Sequence, residues 1–509
     1  MYLILHVLRK DGRHRWIEIL VSLALLIAYA WHVTHEWSSP SLEFSLLSSL
    51  WNAIPALVPA AWCLLIVRAI QDESLVGDRQ FWVTRPYEWA KLLATKALFV
   101  VTFINLPLFV VDLVLLAKAG FSPTHYVLGL LWMQLMLVVI MIVPAAAVST
   151  VTSTVVQVLL SAVGLVFYII GVAELTSHIP NAEMSDGAVA GMIDFVVVIG
   201  ACVAVVFLQF ARRKTWMSRA LILGAAVVVV LVLVATPYGI LIARSYPVLA
   251  AGQQPAVTLA FDHTPPAPRK KTSSFRDLPG DPFIVLPVDV SGVAEGHVAV
   301  VTGTNVTIQA PDGLRWVSSW HSAEQPFWPG EDKSSITISV DRKFFDRVKA
   351  LPVKIHMTLA QKDFTETNTR QVTTAAGKFA VPGVGICWIE AEGGGPADMI
   401  ACHSPLKTPF LAGRMNPSET ACTYQDEPPP PATRHMWHWG SDLEAGIIPV
   451  NDDNLIFSGS EDNPRRPLPY FCPGTPFTIS TPKEGAHSRT ELEVDGVVLS
   501  DYRWLPSFE

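Results

Sequence analysis

A chain of 509 residues is longer than one hydrophobic core supports. Its formal net charge of −7 argues against nucleic acid as a partner, because a phosphate backbone needs a basic face. The averages of 51% hydrophobic and 16% charged residues blend two unlike halves: apolar runs up to Tyr246, then a polar stretch rich in Pro and Gly.

About 20 apolar residues let a helix cross roughly 30 Å of hydrocarbon. Seven such runs lie near Trp16–Val33, Leu46–Val67, Ala97–Leu116, Val127–Val148, Thr154–Ala173, Gly191–Ala211 and Ala220–Ile242. Only Ser149–Ser153 separates the fourth from the fifth, so a single long hairpin dipping back is the other reading of that pair. Before the first run, Met1–Leu8 suits a helix lying along the inner membrane surface. Ala28-Tyr29-Ala30 resembles a signal-peptidase site, but the apolar start before it favours a retained span.

Lys and Arg set the orientation. Arg9, Lys10, Arg13 and Arg15 precede the first run; Arg68, Arg79, Arg85, Lys91 and Lys96 follow the second; Arg212, Arg213, Lys214 and Arg219 follow the sixth. The opposite connections hold Lys118 and little else. A cytoplasmic N-terminus is expected, and an odd number of spans places the C-terminal half outside, as a multi-pass protein of the cell (inner) membrane with a periplasmic or extracellular domain. Pro55, Pro59, Pro107 and Pro144 should kink their spans. Asn52, Asn105, Gln134 and Gln157 are candidates for hydrogen bonds between helices. Asp112 is a carboxylate well inside a span, where an acid is a functional candidate. The plainer reading, favoured here, is that it reaches water about one turn from the outer interface.

The loop after the second run opens with Asp72 and Glu73, passes Gly77, and continues Phe81-Trp82-Val83-Thr84-Arg85-Pro86 toward Lys96. Phe81 and Trp82 suit the headgroup level, Arg85 suits water, and Pro86 can open a new helix. On Asp72, Gly77, Phe81, Trp82, Thr84, Arg85, Pro86 and Lys96 the chain resembles permease subunits of ABC-type exporters, the type-2 class in particular. That resemblance implies an interfacial N-terminal helix and a coupling helix in this loop that docks on a separate cytoplasmic ATPase. It departs from the family in adding a seventh span and an exported domain of about 260 residues, where the family usually has six spans and both ends inside. The chain contains no Gly-x-x-x-x-Gly-Lys-Ser/Thr, so nucleotide hydrolysis would come from another chain.

Residues 247–282 form a linker, with Pro265-Pro266 and Arg269-Lys270-Lys271 arguing against packing. Beyond it, period-two alternation predicts strands at Phe283–Val290, His297–Thr302, Asn305–Gln309, Ser335–Val340, Val353–Leu359 and Gln371–Thr374. Ala310-Pro-Asp-Gly-Leu314 marks a turn and Asp341–Leu351 a short amphipathic helix. A second set of strands includes Leu455–Ser458, Phe477–Ser480 and Thr490–Leu499. The expected fold is a multi-span α-helical membrane domain (1–246) followed by an all-β, sandwich-like extracytoplasmic region. That region is divided into modules 283–380 and 381–509, or forms one larger sandwich.

Of six cysteines, Cys63 and Cys202 lie in apolar runs. Cys387, Cys402, Cys422 and Cys472 fall in the exported half, where an oxidising space favours disulfides. Cys387–Cys402 with Cys422–Cys472 is the local choice among three connectivities; zinc is the competitor, without the usual C-x-x-C spacing. His435 and His438 find no third ligand nearby, and the aromatic group around Trp437 and Trp439 suits a packed or ligand-stacking loop. No motif points to an enzyme or a cofactor. The expected function is a permease-like transport subunit, embedded in membrane lipid and working as a homodimer or with a close partner and a separate ATPase, whose β domain binds substrate or a partner. The alternative is a membrane-anchored binding or sensor protein that does not transport.

Overall fold

The computed structural model describes residues 2–36, 46–72, 88–177, 188–236, 238–249, 257–264, 281–373, 378–390, 399–407, 410–415, 434–438, 447, 449–456 and 476–504. The apolar runs of the first half are helical, since only a helix satisfies its own backbone in hydrocarbon, though the seventh expected run, Ala220–Ile242, divides where α10 ends at Ala235. Helix α1 (Tyr2–His14) leads into α2 (Trp16–Glu36) and α3 (Leu46–Gln71). Then α4 (Trp89–Val100) continues through a π turn at Val101–Asn105 into α5 (Leu106–Lys118). In the same way α6 (Pro123–Leu137) continues through a π turn at Val138–Ile142 into α7 (Val143–Val151). Each π turn ends two residues before a proline, Pro107 or Pro144, where the lost N–H and the ring's bulk must be accommodated.

The remaining helices are α8 (Val155–Ser177), α9 (Ala188–Arg212), α10 (Thr215–Ala235) and the short α11 (Tyr238–Ser245). Among the described residues seven stretches are long and apolar enough to cross a membrane, and Pro123–Val151 and Val155–Thr176 are two separate ones. Leu26, Trp62, Leu65, Phe99, Ile104 and Leu115 form the core of the bundle, from α2 to α5. By contrast, the apolar side chains of α8 are turned outward along its length.

Among its described residues the second half is β apart from a 3-10 turn at Leu499–Tyr502 and α12 (Arg342–Val348), whose N-cap Asp341 accepts from the Phe344 N–H. The strands are β1 (Thr258–Phe261), β2 (Phe283–Ser291), β3 (His297–Gln309), β4 (Arg315–Val317), β5 (His321–Phe327), β6 (Lys333–Ser339) and β7 (Pro352–Thr373). They continue with β8 (Phe379–Val381), β9 (Gly385–Glu390), β10 (Met399–Pro405), β11 (Leu411–Met415) and β12 (Arg434–His438). Last come β13 (Val450–Ile456), β14 (Pro476–Val498) and β15 (Arg503–Trp504).

One seven-stranded antiparallel sheet runs β12-β11-β14-β7-β3-β4, with β5 also on β3. Its long strands β7 and β14 stay paired across register shifts at Ile479/Thr481, Glu484/His487 and Val494/Val497. A four-stranded sheet of β1, β2, β6 and β15 covers one part of it. Ile284, Leu286 and Val288 meet Ile308, Ile355, Met357 and Val494 there. A second, β13-β10-β9-β8, covers another, where Cys387, Ile400 and Cys402 meet Leu411, Met436, Phe477 and Ile479. The large sheet therefore draws strands from both 283–380 and 381–509. Thr258–Phe261, within the stretch expected to be a linker, is a strand: its Thr-Leu-Ala-Phe pairs residue by residue with Val288–Ser291. Alternation marked β2, β3, β6, β7, β14 and the end of β13; it did not single out β4, β5, β8–β12 or β15, and it broke β3, β7 and β14 into pieces where bulges interrupt the period.

Candidate functional site

Two polar constellations stand out in the helical half. The first ties α1 to the bundle. Ile4, Val7, Leu8, Asp11 and Arg15 turn inward at helical spacing, while Arg9, Lys10 and Arg13 remain exposed. The inward face thus ends in one acid and one base, each meeting its opposite. Lys96 Nζ donates to Asp11 Oδ2 at 2.7 Å, with the side chains 6% and 9% exposed. Buried Arg15 donates to Asp72 Oδ2. Gly12 leaves room for the Phe103 ring, which would lie 3.4 Å from any added Cβ.

Asp72 and Lys96 flank the loop singled out from the sequence, so both of its ends are fastened to α1. Glu73, Gly77, Phe81, Trp82, Thr84, Arg85 and Pro86 lie outside the described residues. Nearby, Gln71 Nε2 donates to Thr152 Oγ1 at 3.3 Å. Arg219 Nη2 donates to the Val151 carbonyl at 2.9 Å, satisfying the C-terminal end of α7. The basic residues of this end are legible from the sequence but their partners are not, although the spacing of Asp11 and Arg15 on one face of α1 was an available signal.

The second constellation lies within the spans. Asn105 Nδ2 donates to Gln134 Oε1 at 2.8 Å, and Gln134 Nε2 donates to Asp112 Oδ2 at 3.2 Å. Asp112 is 1% exposed, Asn105 9% and Gln134 8%. The expectation that Asp112 reaches water therefore fails: its carboxylate points between α5 and α6, onto Gln134. Asn105 and Gln134 do join two helices as expected, and Asn105 ends one of the π turns, a feature common at functional sites.

The β half sits on the last turn of α5 and the first turns of α6, at the end of these helices away from α1. Leu116, Ala119, Leu130 and Met133 pack with Val450, and Leu406 packs beside them. Leu406 holds φ +68, and its Cδ1 lies 2.1 Å from where a Cβ on Gly129 would be. Only a glycine on α6 admits it in that pose. A second joint lies at α11, where Tyr246 stacks on His487 and its hydroxyl accepts from Thr302 Oγ1 at 3.0 Å.

Cys387 and Cys402 face each other on β9 and β10 and are disulfide-bonded. Cys422 and Cys472 lie outside the described residues. His435 and His438 fall on β12 three positions apart, hence on opposite faces. His435 stacks on Trp328, and burial pushes its pKa down to about 4, with Arg414 adding to the effect. No group of three or more His, Cys, Asp or Glu suited to a metal occurs among the described residues.

No family model matches the chain, and no curated protein matches it. Among solved structures it is similar to red sea bream transglutaminase, at 9% identity and a TM-score of 0.14. That similarity covers 49% of this chain and 30% of the other, and it carries no argument about fold or activity.

Proposed function

We propose that the chain is the membrane subunit of an ABC-type transport system of the type-2 exporter class. In this reading a separate cytoplasmic ATPase docks on the loop between Asp72 and Lys96, and the β half is exported and binds substrate or a partner. The observation that carries it is the fastening of both flanks of that loop to one amphipathic helix. Asp11 holds Lys96 and Arg15 holds Asp72. A helix at the membrane surface that grips a docking loop from both sides passes a push on the loop directly into α3 and α4. Phe81, Trp82 and Arg85, with Asp72, Glu73, Gly77 and Pro86, are the residues assigned to the ATPase contact.

The remaining features fit the same arrangement. Basic residues collect at the α1 end of the bundle, the side expected to face the cytoplasm. The β half packs on the last turn of α5 and the first turns of α6, the side expected to be periplasmic or extracellular. The outward apolar face of α8 would meet lipid or a second copy.

The test is purification of the tagged full-length chain from its native membrane. An ATPase should come with it, and should be lost from a Phe81→Ala, Trp82→Ala, Arg85→Ala variant that still inserts and keeps its disulfide. A reporter fused after Glu509 should be active only outside the cytosol. If no ATPase accompanies the chain and no ATP-dependent flux is found in vesicles, the transport reading fails, leaving a membrane-anchored binding protein.

A further inference from the structure

The bond from Asn105 through Gln134 to Asp112 leaves something over. Gln134 spends its carbonyl on Asn105 and an amide hydrogen on Asp112. Asp112 Oδ1 and Asn105 Oδ1 are buried oxygens with no hydrogen-bond partner. No basic side chain pairs with Asp112 among the described residues, unlike Asp11, which has Lys96. A bare carboxylate within a span is costly, and such acids are retained where a positive charge or an aqueous path compensates them.

We propose that Asp112, Asn105 and Gln134 form a binding site for one small cation, a proton or an alkali ion, within the membrane domain. Asp112 supplies the charge. Asn105 adds a second oxygen, and Gln134 fixes the Asp112 carboxylate by donating to its other oxygen. The neighbouring π turns at Val101–Asn105 and Val138–Ile142 give both helices a place to shift as the charge enters or leaves. The site leans on burial and orphaned oxygens alone, so it stands or falls independently of the ATPase reading.

The experiment uses the full chain in lipid nanodiscs. Radioactive sodium uptake is measured at matched ionic strength against an organic cation, and the carboxyl infrared band is followed through a pH titration. An alkali site gives saturable uptake of one sodium per chain. A proton site gives no sodium uptake and a buried, protonated carboxyl band that persists at pH values where the surface Asp and Glu side chains have ionised. Either signal must vanish in Asp112→Asn, which keeps the shape and removes the charge. Gln134→Leu should weaken whichever cation binds by about tenfold, through loss of one hydrogen bond to a charged group. Should the wild-type protein show neither signal, or should Asp112→Asn retain one, the proposal is overturned; the wild-type measurements do so without depending on how any variant folds.

Discussion

Lys96 Nζ lies 2.7 Å from Asp11 Oδ2, an ion pair that joins the first helix to the fourth across 85 positions of sequence. With both side chains buried, neither charge can fall back on water if its partner is removed. Lys96→Met should therefore destabilise the bundle by about 3 kcal/mol, since the orphaned carboxylate costs more than the pair contributes. Asp11→Leu combined with Lys96→Met should recover most of that loss. Denaturation of purified protein in detergent, followed by tryptophan fluorescence, would read both; a double variant no more stable than the single one would contradict it.

Gly385 and Gly496 both have positive φ, +150 and +75, yet their surroundings differ. A Cβ on Gly385 would come within 1.9 Å of the His403 carbonyl oxygen, whereas one on Gly496 would point into open space. Gly496→Ala should cost only backbone strain, about 1 kcal/mol. Gly385→Ala adds a collision with backbone that cannot turn aside, and about 3 kcal/mol is expected. Thermal unfolding of the two variants should rank them in that order.

The disulfide between Cys387 and Cys402 closes a segment with a sequence separation of 15. Replacing both cysteines with Ala should lower stability by about 3 kcal/mol through the freer unfolded chain. Under denaturing, non-reducing conditions, thiol labelling of the wild-type protein should leave Cys387 and Cys402 unmodified, whereas Cys63 and Cys202 should react. Labelling of Cys387 without reductant would refute the pairing.

The folded-state pKa of His435, about 4, lies below the ordinary value of 6.5. Below pH 6.5 the unfolded chain takes up a proton that the folded one refuses, so this contribution is complete above pH 6.5 and is lost as pH falls toward 4. The ring is only partly buried, and the loss is on the order of 2 kcal/mol. His435→Phe should flatten the stability profile between pH 4 and 6.5; an unchanged slope would show that another group titrates there.

Much of the architecture was legible because hydrocarbon leaves a chain few options. Apolar runs of span length have to be helices, and the seven expected runs are the seven found. Period-two alternation similarly marked β2, β3, β6, β7, β14 and the end of β13, and the amphipathic pattern after Asp341 marked α12, whereas β4, β5 and β8–β12 are too short or too weakly alternating to show a period. Alternation fails at bulges, so Phe477–Ser480 and Thr490–Leu499 read as separate strands although β14 passes through both. Where a strand pairs is a long-range choice that no local period encodes, which is why the sequence left two modules and one larger sandwich both open while strands from either side of residue 380 meet in one sheet.

By itself the sequence determined the number of membrane-crossing helices, the β character of the second half and which residues are polar where polarity is costly. Only the tertiary structure decided which of those residues meet. Asp112 lies against Gln134 and away from water, and Arg15 reaches Asp72 while Lys96 reaches Asp11. Hydrophobic transfer acts on each segment separately and is written in composition. A hydrogen bond or ion pair needs two groups within about 3 Å, and that proximity is set by how the helices pack.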